Sequence, residues 1–295
     1  KNQRIRFMCF KRFFNMKKGV KVTRQLINRG FNPLVRIFSG DPEAKKEKED
    51  KKSEAEDNTI LDMNLFRPIE NPRERAHIKE WKNINDKDTI FVSFVSDPID
   101  SDFYSSKIEG LVKKLDEFGY DYLIRQYPRD RSYHQNCCFK PSFIKSVIEE
   151  FDKNIVWIDA DTNLKKELKL FSDVDSEFDL GLVSHNGSID GFFASPLLLK
   201  NTKNTRELIE SWDDHCTEKI KSGECELDHD ALKHEVIGKH RDSIKIRLFD
   251  NQYNQGDILE NVNSRVPLKN QVHIHMNRIN ARRPFNYTNK DFNII

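Results

Sequence analysis

No apolar run in this 295-residue chain approaches the roughly 18 to 20 residues that a membrane-spanning helix requires. An excess of charge of one sign is missing as well: 50 lysines and arginines against 48 aspartates and glutamates leave a formal net charge of +2. That balance favours neither nucleic acid nor a membrane as partner of the whole chain. Only five cysteines are present (Cys9, Cys137, Cys138, Cys216 and Cys225), and no two of them make a CxxC spacing. A zinc site and a dense disulfide framework are thereby disfavoured, and reduced structural thiols in a reducing compartment are expected. The chain also has no GxxxxGK(S/T) and no GxGxxG, the commonest nucleotide-binding signatures, and no GxSxG nucleophile elbow. With no RNP-like or finger spacing either, no nucleic-acid partner is expected.

What is there divides into three parts, 1–40, 41–60 and 61–295. Residues 1–18 carry Lys1, Arg4, Arg6, Lys11, Arg12, Lys17 and Lys18 without one acid, interleaved with Phe7, Phe10, Phe13 and Phe14. Such a basic and aromatic arm suits an anionic membrane surface or a partner, and equally an ordinary solvated or packing helix. Peripheral membrane contact through residues 1–18, in an otherwise cytoplasmic protein, is the expectation. From Asp41 to Asp57 nearly every residue is charged, with both signs mixed and no aromatic or β-branched residue. That stretch cannot bury enough apolar surface to order itself and is expected to be a flexible linker.

Further on, periodic segments alternate. Thr89 to Val95 is rich in β-branched and aromatic residues and predicts a strand. The 3.6-residue spacing of Ile108, Leu111, Val112 and Leu115 predicts a helix from Tyr104 to Phe118, stopped by Gly119. A second strand is expected from Tyr120 to Tyr127. Pro141 is expected to open a helix with Phe143, Ile144, Val147, Ile148 and Phe151 as its buried stripe. Ile155-Val156-Trp157-Ile158 then reads as a strand buried on both faces. Strands are further expected at Phe178 to Ser184, Gly191 to Ser195, Ile244 to Phe249 and Val272 to Met276, and helices at Thr205 to Cys216 and Asp228 to Val236. The succession predicts a doubly wound α/β domain.

The buried strand delivers Asp159 and Asp161, one residue apart, to the carboxyl edge of the sheet, the usual place for a ligand crevice in an open α/β fold. Carboxylates at that spacing can hold a hard divalent cation, and the cation can hold a diphosphate. A plain turn after a strand uses the same residue type. Lys140, with Arg129, Arg131 and Tyr133 upstream of it, offers groups able to pair with phosphate. Gly187 and Gly191 flank Ser188-Ile189-Asp190 in a loop able to approach a ligand closely. Asp228 and Asp230 begin a helix, where capping alone accounts for one of them.

Together these segments resemble the DxD-containing glycosyltransferases of the GT-A fold, in particular the galactosyltransferase and glycogenin type with its viral and bacterial relatives. The stretches that carry the likeness are Lys140-Pro141-Ser142-Phe143-Ile144, then Val156 to Thr162, then Asp179-Leu180-Gly181-Leu182-Val183 with Gly191-Phe192-Phe193-Ala194 and Glu210-Ser211-Trp212. Asp228-His229-Asp230-Ala231-Leu232 is similar to the family's DQxxL-like segment, with His229 where Gln is usual. His273-Ile274-His275 resembles its late histidine. The resemblance implies a GT-A-like (Rossmann-like), mostly parallel sheet flanked by helices. It implies Mn²⁺ or Mg²⁺ on Asp159, Asp161 and His275, with His273 an equal alternative because strand alternation points both histidines to one face. Imidazole among carboxylates tilts that preference toward Mn²⁺. It further implies a nucleotide-sugar donor, a UDP-hexose, held by Asp97, Lys140, Asp159 and Gly191. Asp228 and Asp230 would hold a hydroxyl or act as base, toward a hydroxyl acceptor on a glycan, lipid or protein.

Two other readings compete. A haloacid dehalogenase-type phosphatase would use Asp159 as nucleophile and Asp161 as acid/base. Against it, Asn163 stands where that family has Thr or Val, and two strand-helix units precede the pair. A non-catalytic sugar- or nucleotide-binding protein is the other.

Overall fold

In a computed structural model of the chain, residues 68–97, 102–169, 177–224, 226–261 and 285–295 are described. All of them belong to one compact unit, Glu54–Ile295. The expected arm and linker, and both His273 and His275, lie outside the described residues.

The protein is a mixed α/β structure built on a large sheet flanked by helices. The strands are β1 (Lys79–Asn83), β2 (Thr89–Val95), β3 (Asp121–Gln126), β4 (Asn154–Trp157), β5 (Thr162–Leu164), β6 (Leu180–Ser184), β7 (Phe192–Leu199), β8 (Lys245–Phe249), β9 (Leu259–Asn261) and β10 (Asn293–Ile294). Eight of them form one sheet in the order β1-β3-β2-β4-β7-β6-β8-β10, and β5 and β9 pair separately. Four pairings of the large sheet are parallel and three antiparallel.

Alternation along the strands divides the core in two. Ile90, Val92, Ile155, Trp157, Leu197 and Leu199 face one side, while Phe91, Val95, Val156 and Leu198 face the other. Helix α1 (Ser105–Glu117) covers the second face with Ile108, Leu111 and Leu115. Each such side chain contributes about 1.5–3 kcal/mol by burial. Helices α2 (Tyr133–Phe151) and α3 (Lys203–Ser222) cover the first face. Helix α1 links β2 to β3, and α2 returns the chain past β2 to β4 on the opposite face of the sheet. The chain therefore departs in opposite directions from the neighbours β2 and β4. In open α/β sheets such a switch point, beyond the carboxyl ends of the strands, is the usual place for a ligand crevice.

Several elements differ from the sequence expectation. Pro141 does not open its helix: α2 begins eight residues earlier, at Tyr133, with Pro141 inside it. Its start is a reciprocal capping box in which Ser132 Oγ accepts from the Gln135 amide and the Gln135 side chain accepts from the Ser132 amide. Helix α3 runs on through Trp212 and Cys216 to Ser222 and ends at Gly223 in a left-handed conformation. The segment from Asp228 is not one helix but an α-turn, α4 (Asp228–Asp230), followed by π-helical Ala231–Val236 and a 3-10 turn, Ile237–His240. Strand β1 precedes the expected core start near Asp88; its only large apolar residue is Trp81, among charges of the kind that protect a sheet edge.

Candidate active site

Lys140 is the centre of the candidate site. Helix α2 presents Tyr133, Cys137 and Lys140 on one face, because residues three and four apart lie above one another. The lysine is 6 % exposed. Its ammonium meets Asp228 Oδ2 at 2.6 Å and Asp159 Oδ1 at 3.3 Å, donates to the Ala194 carbonyl at 3.3 Å, and lies 5.0 Å over the Trp157 ring. Burial opposes the charge on this amine, but Asp159 and Asp228 outweigh it and hold its pKa above the ordinary lysine range. A solvated surface lysine is thereby excluded.

Asp159 leaves the end of β4 in a fixed orientation. Its Oδ1 accepts from Trp157 Nε1 at 2.8 Å, and its amide donates to Ser195 Oγ at 2.9 Å. The Ser195 carbonyl in turn accepts from the buried Asn254 amide at 2.6 Å. Asp161 is almost wholly buried. The Tyr104 phenol, at the start of α1, is pushed up by burial, with Asp161 and Asp159 both adding to the effect. Tyr104 thus reports both carboxylates in one neighbourhood.

Asp228 is 5 % exposed and does not cap its helical turn, whose N-cap, Leu227, has no side-chain hydrogen bond. Its backbone carbonyl is held by Trp212 Nε1 at 3.0 Å. Burial raises the Asp228 pKa, and Lys140 only partly offsets that. The next residue, His229, stacks on Phe192 at 5.2 Å. Its pKa is lowered to about 3 by burial, with Lys233 and Lys140 adding, so it is neutral at any physiological pH. Asp230 is only partly buried and faces Lys233 rather than Lys140.

Asp97, Arg129, Arg131 and Gly191 remain. Asp97 follows β2, and its Oδ1 accepts from the Tyr104 and Ser105 amides at 2.8 and 3.1 Å, fixing the start of α1 rather than a turn with Pro98. Arg129 pairs with Asp102 and reaches Asp97 Oδ2 at 4.0 Å. Arg131 is 5 % exposed and lies 5.0 Å over Phe139; burial, with Arg75 adding, lowers its pKa to about 10. Gly191 ends a 3-10 turn at the entrance of β7, where any Cβ would collide with the Asn186 side chain.

The structure therefore joins Lys140, Asp159 and Asp228, groups Asp161 and the equally buried Asp97 with Asp159 around Tyr104, and sets Asp230 beside Lys233. Sequence reasoning missed Tyr104, Cys137, Ser195 and Asn254. Of these, Cys137 was signalled by its helical spacing from Lys140, whereas Ser195 and Asn254 carry no local signal.

A divalent cation suits the two carboxylates at the strand end. Asp159 and Asp161 are hard oxygen donors, and one ammonium has to serve Asp159 and Asp228 together. No group of three or more His, Cys, Asp or Glu that could hold a metal ion occurs among the described residues, so further ligands would come from water, a bound phosphate or elsewhere in the chain.

Fold and site together define a mixed α/β protein with a buried lysine-carboxylate cluster at a topological switch point. No family model and no curated protein matches the chain in sequence. Among solved structures it is similar to a glycosyltransferase involved in glycosylation of the major capsid of PBCV-1, at 12% identity and a TM-score of 0.46, over 64% of this chain and 98% of that one. It is also similar to the glycosyltransferase GlyE of Streptococcus pneumoniae TIGR4. The apo form gives 20% identity and a TM-score of 0.38 over 58% of this chain and 46% of that one. A second GlyE structure gives 17% and 0.33 over 68% and 52%. The chain thus spans about half the length of GlyE. No helix among the described residues is long and apolar enough to cross a membrane.

Proposed function

We propose that this protein is a metal-dependent glycosyltransferase that moves a hexose from a nucleotide sugar, a UDP-sugar, to a hydroxyl of a glycan, lipid or protein. The observation that carries the reading is the shared ammonium: Lys140 bridges Asp159, at the end of β4, and Asp228, with the buried Asp161 two residues further along the chain from Asp159. Among the described residues one ammonium faces two carboxylates, an arrangement that favours a further cation.

Asp159 and Asp161 would hold Mn²⁺ or Mg²⁺, which when bound neutralises the charge that collects on a departing diphosphate. The protein's own groups have separate tasks. Trp157 and Ser195 hold Asp159 in one orientation, so little reorganisation is needed as charge develops. Lys140 holds the Asp228 carboxyl at 2.6 Å and opposes the upward shift that burial imposes on it. Asp228, with its raised pKa, is suited to accept a hydrogen bond or a proton from a sugar hydroxyl. His229 is neutral and adds no cation of its own near the reacting sugar.

The test is a panel of nucleotide sugars incubated with Mn²⁺ and with Mg²⁺, since slow hydrolysis reveals the donor without knowledge of the acceptor. Release of free sugar from one donor, dependent on metal and abolished in Asp161→Asn, is the expected result. Phosphate release from simple phosphomonoesters with no nucleotide-sugar turnover would overturn the reading in favour of a phosphatase.

A further inference from the structure

The loop between β6 and β7 is held from a distant part of the chain. Its middle residues are Asn186, Gly187, Ser188 and Ile189, with Gly187 at φ +72°, a left-handed conformation that glycine adopts without strain. Inside the loop, Ser184 Oγ donates to the Ser188 carbonyl at 2.7 Å, and the Ser188 amide donates to Asn186 Oδ1 at 3.1 Å. Three further loop groups are met by one side chain, Asn289. Its Oδ1 accepts from the Ile189 amide at 2.8 Å and from Ser188 Oγ at 3.4 Å, and its Nδ2 donates to the Gly187 carbonyl at 3.0 Å.

Asn289 belongs to a strap, residues 285–295, that is itself anchored at both ends. Toward its end, β10 pairs in parallel with β8, and the Ile295 amide donates to the Ile246 carbonyl at 3.0 Å. Toward its start, Phe285 lies beneath the Lys233 ammonium at 5.4 Å, and Tyr287 packs so closely on Gly238 that a Cβ there would approach its ring within 2.5 Å.

The loop leads directly into the site. Lys233 donates to the Asp190 carbonyl, Phe192 carries the His229 ring, the Ala194 carbonyl takes the Lys140 ammonium, and Ser195 Oγ takes the Asp159 amide. We propose that Asn289 is a positioning residue: by fixing loop 186–189 from the strap, it sets the entrance of β7 and hence the wall against which the transferred sugar rests. The second half of this inference rests on the transferase reading above; the first does not.

The experiment measures two quantities on the full-length chain, hydrogen exchange at the Ile189 amide and steady-state nucleotide-sugar hydrolysis. In Asn289→Ala, exchange at Ile189 should accelerate by about tenfold or more while core amides of β2 and β4 stay protected, because only a local opening becomes easier. KM should rise by about five- to tenfold, the worth of one to two hydrogen bonds, with kcat little changed, since substrate and transition state lose the same wall. Asn289→Asp keeps the acceptor for Ile189 and should restore its protection and part of the KM. A general loss of stability would instead speed exchange in the core strands as well, with no rescue by aspartate. Unchanged protection of Ile189 in Asn289→Ala overturns the inference, as does lost protection with unchanged KM. If the parent turns over no nucleotide sugar, the transferase reading falls, while the exchange data still decide whether Asn289 holds the loop.

Discussion

Two buried aspartates pack near helix α2, and their surroundings differ in a way that separates structure from chemistry. Asp213, on α3, is fully buried and surrounded by donors. Its Oδ1 accepts from Ser142 and, at 3.3 Å, from Thr217; its Oδ2 accepts from Arg73 Nε at 2.7 Å, and Lys145 stands 3.8 Å away. Asp228 is nearly as buried, but the Lys140 ammonium it faces is shared with Asp159. The first arrangement is electrostatically closed and ties the segment before β1 to α2 and α3. The second leaves its carboxyl with a raised pKa and is open to a further cation. A buried acid surrounded by protein donors holds a fold together, whereas under the proposed function one that shares its only described cation is the group that meets the ligand.

The contrast breaks most visibly at the acidic pair. Asp161→Asn should lower metal-dependent nucleotide-sugar turnover by about 10² to 10³, the scale of losing one electrostatic stabiliser. Its melting temperature should match the parent's, because Asn is nearly isosteric; retained turnover at saturating Mn²⁺ would remove Asp161 from the site. The reverse pattern is expected at the closed acid. Asp213→Ala should cost about 3 kcal/mol in denaturant unfolding, the low end for breaking a buried ion pair because Arg73 is half exposed, with kcat/KM of the folded fraction unchanged. A kinetic defect there would show that the two networks are coupled through α2.

Lys140→Met sharpens the contrast through pH. The folded-state pKa of Lys140 is raised above 10.5, so the stability its ammonium supplies is fully present below that pH and is lost as pH rises through the folded value. The parent should therefore exceed Lys140→Met by about 2 kcal/mol at pH 7 to 9, less than the cost at Asp213 because Asp228 can take up a proton, and the gap should close in more alkaline solution. Without its cation the Asp228 carboxyl climbs further above 3.8, and the acid limb of the activity profile should move to higher pH. A pH-independent gap in unfolding experiments would argue that packing, not charge, makes up the lysine's contribution. The smallest effect is thermal stabilisation by Mn²⁺, about 1.4 kcal/mol at ten times its dissociation constant. It should vanish in Asp161→Asn and survive in Asp213→Ala.

Much of the frame was legible beforehand, for identifiable reasons. Ile155 to Ile158 is apolar without interruption, and Thr89 to Val95 is mostly so, because both faces of their strands are covered, and Ile108, Leu111 and Leu115 repeat at helical spacing because α1 has one buried face. The start of α2 was misread because proline is the louder signal, although Ser132 and Gln135 already spelled a capping box. Strand β1 was missed because its edge position selects charge rather than apolar alternation. At the site, Asp159, Asp161, Lys140 and Asp228 could all be nominated singly. Turn, solvated lysine and helix cap were equally available explanations for them.

The sequence by itself determined most strands of the large sheet and the buried faces of its flanking helices, and that two acids close a buried strand. Periodicity records which side of a local element is hidden, and turn residues record where the chain must stop. Only the tertiary structure decided that Lys140 lies between Asp159 and Asp228, that Asp97 caps α1, that Asp213 is closed by Arg73, and that Asn289 holds a loop lying about a hundred residues earlier in the chain. Those relations depend on distances between elements that no local pattern encodes. They are set when the two apolar faces of the sheet are covered and the polar groups brought together must find partners within hydrogen-bonding reach.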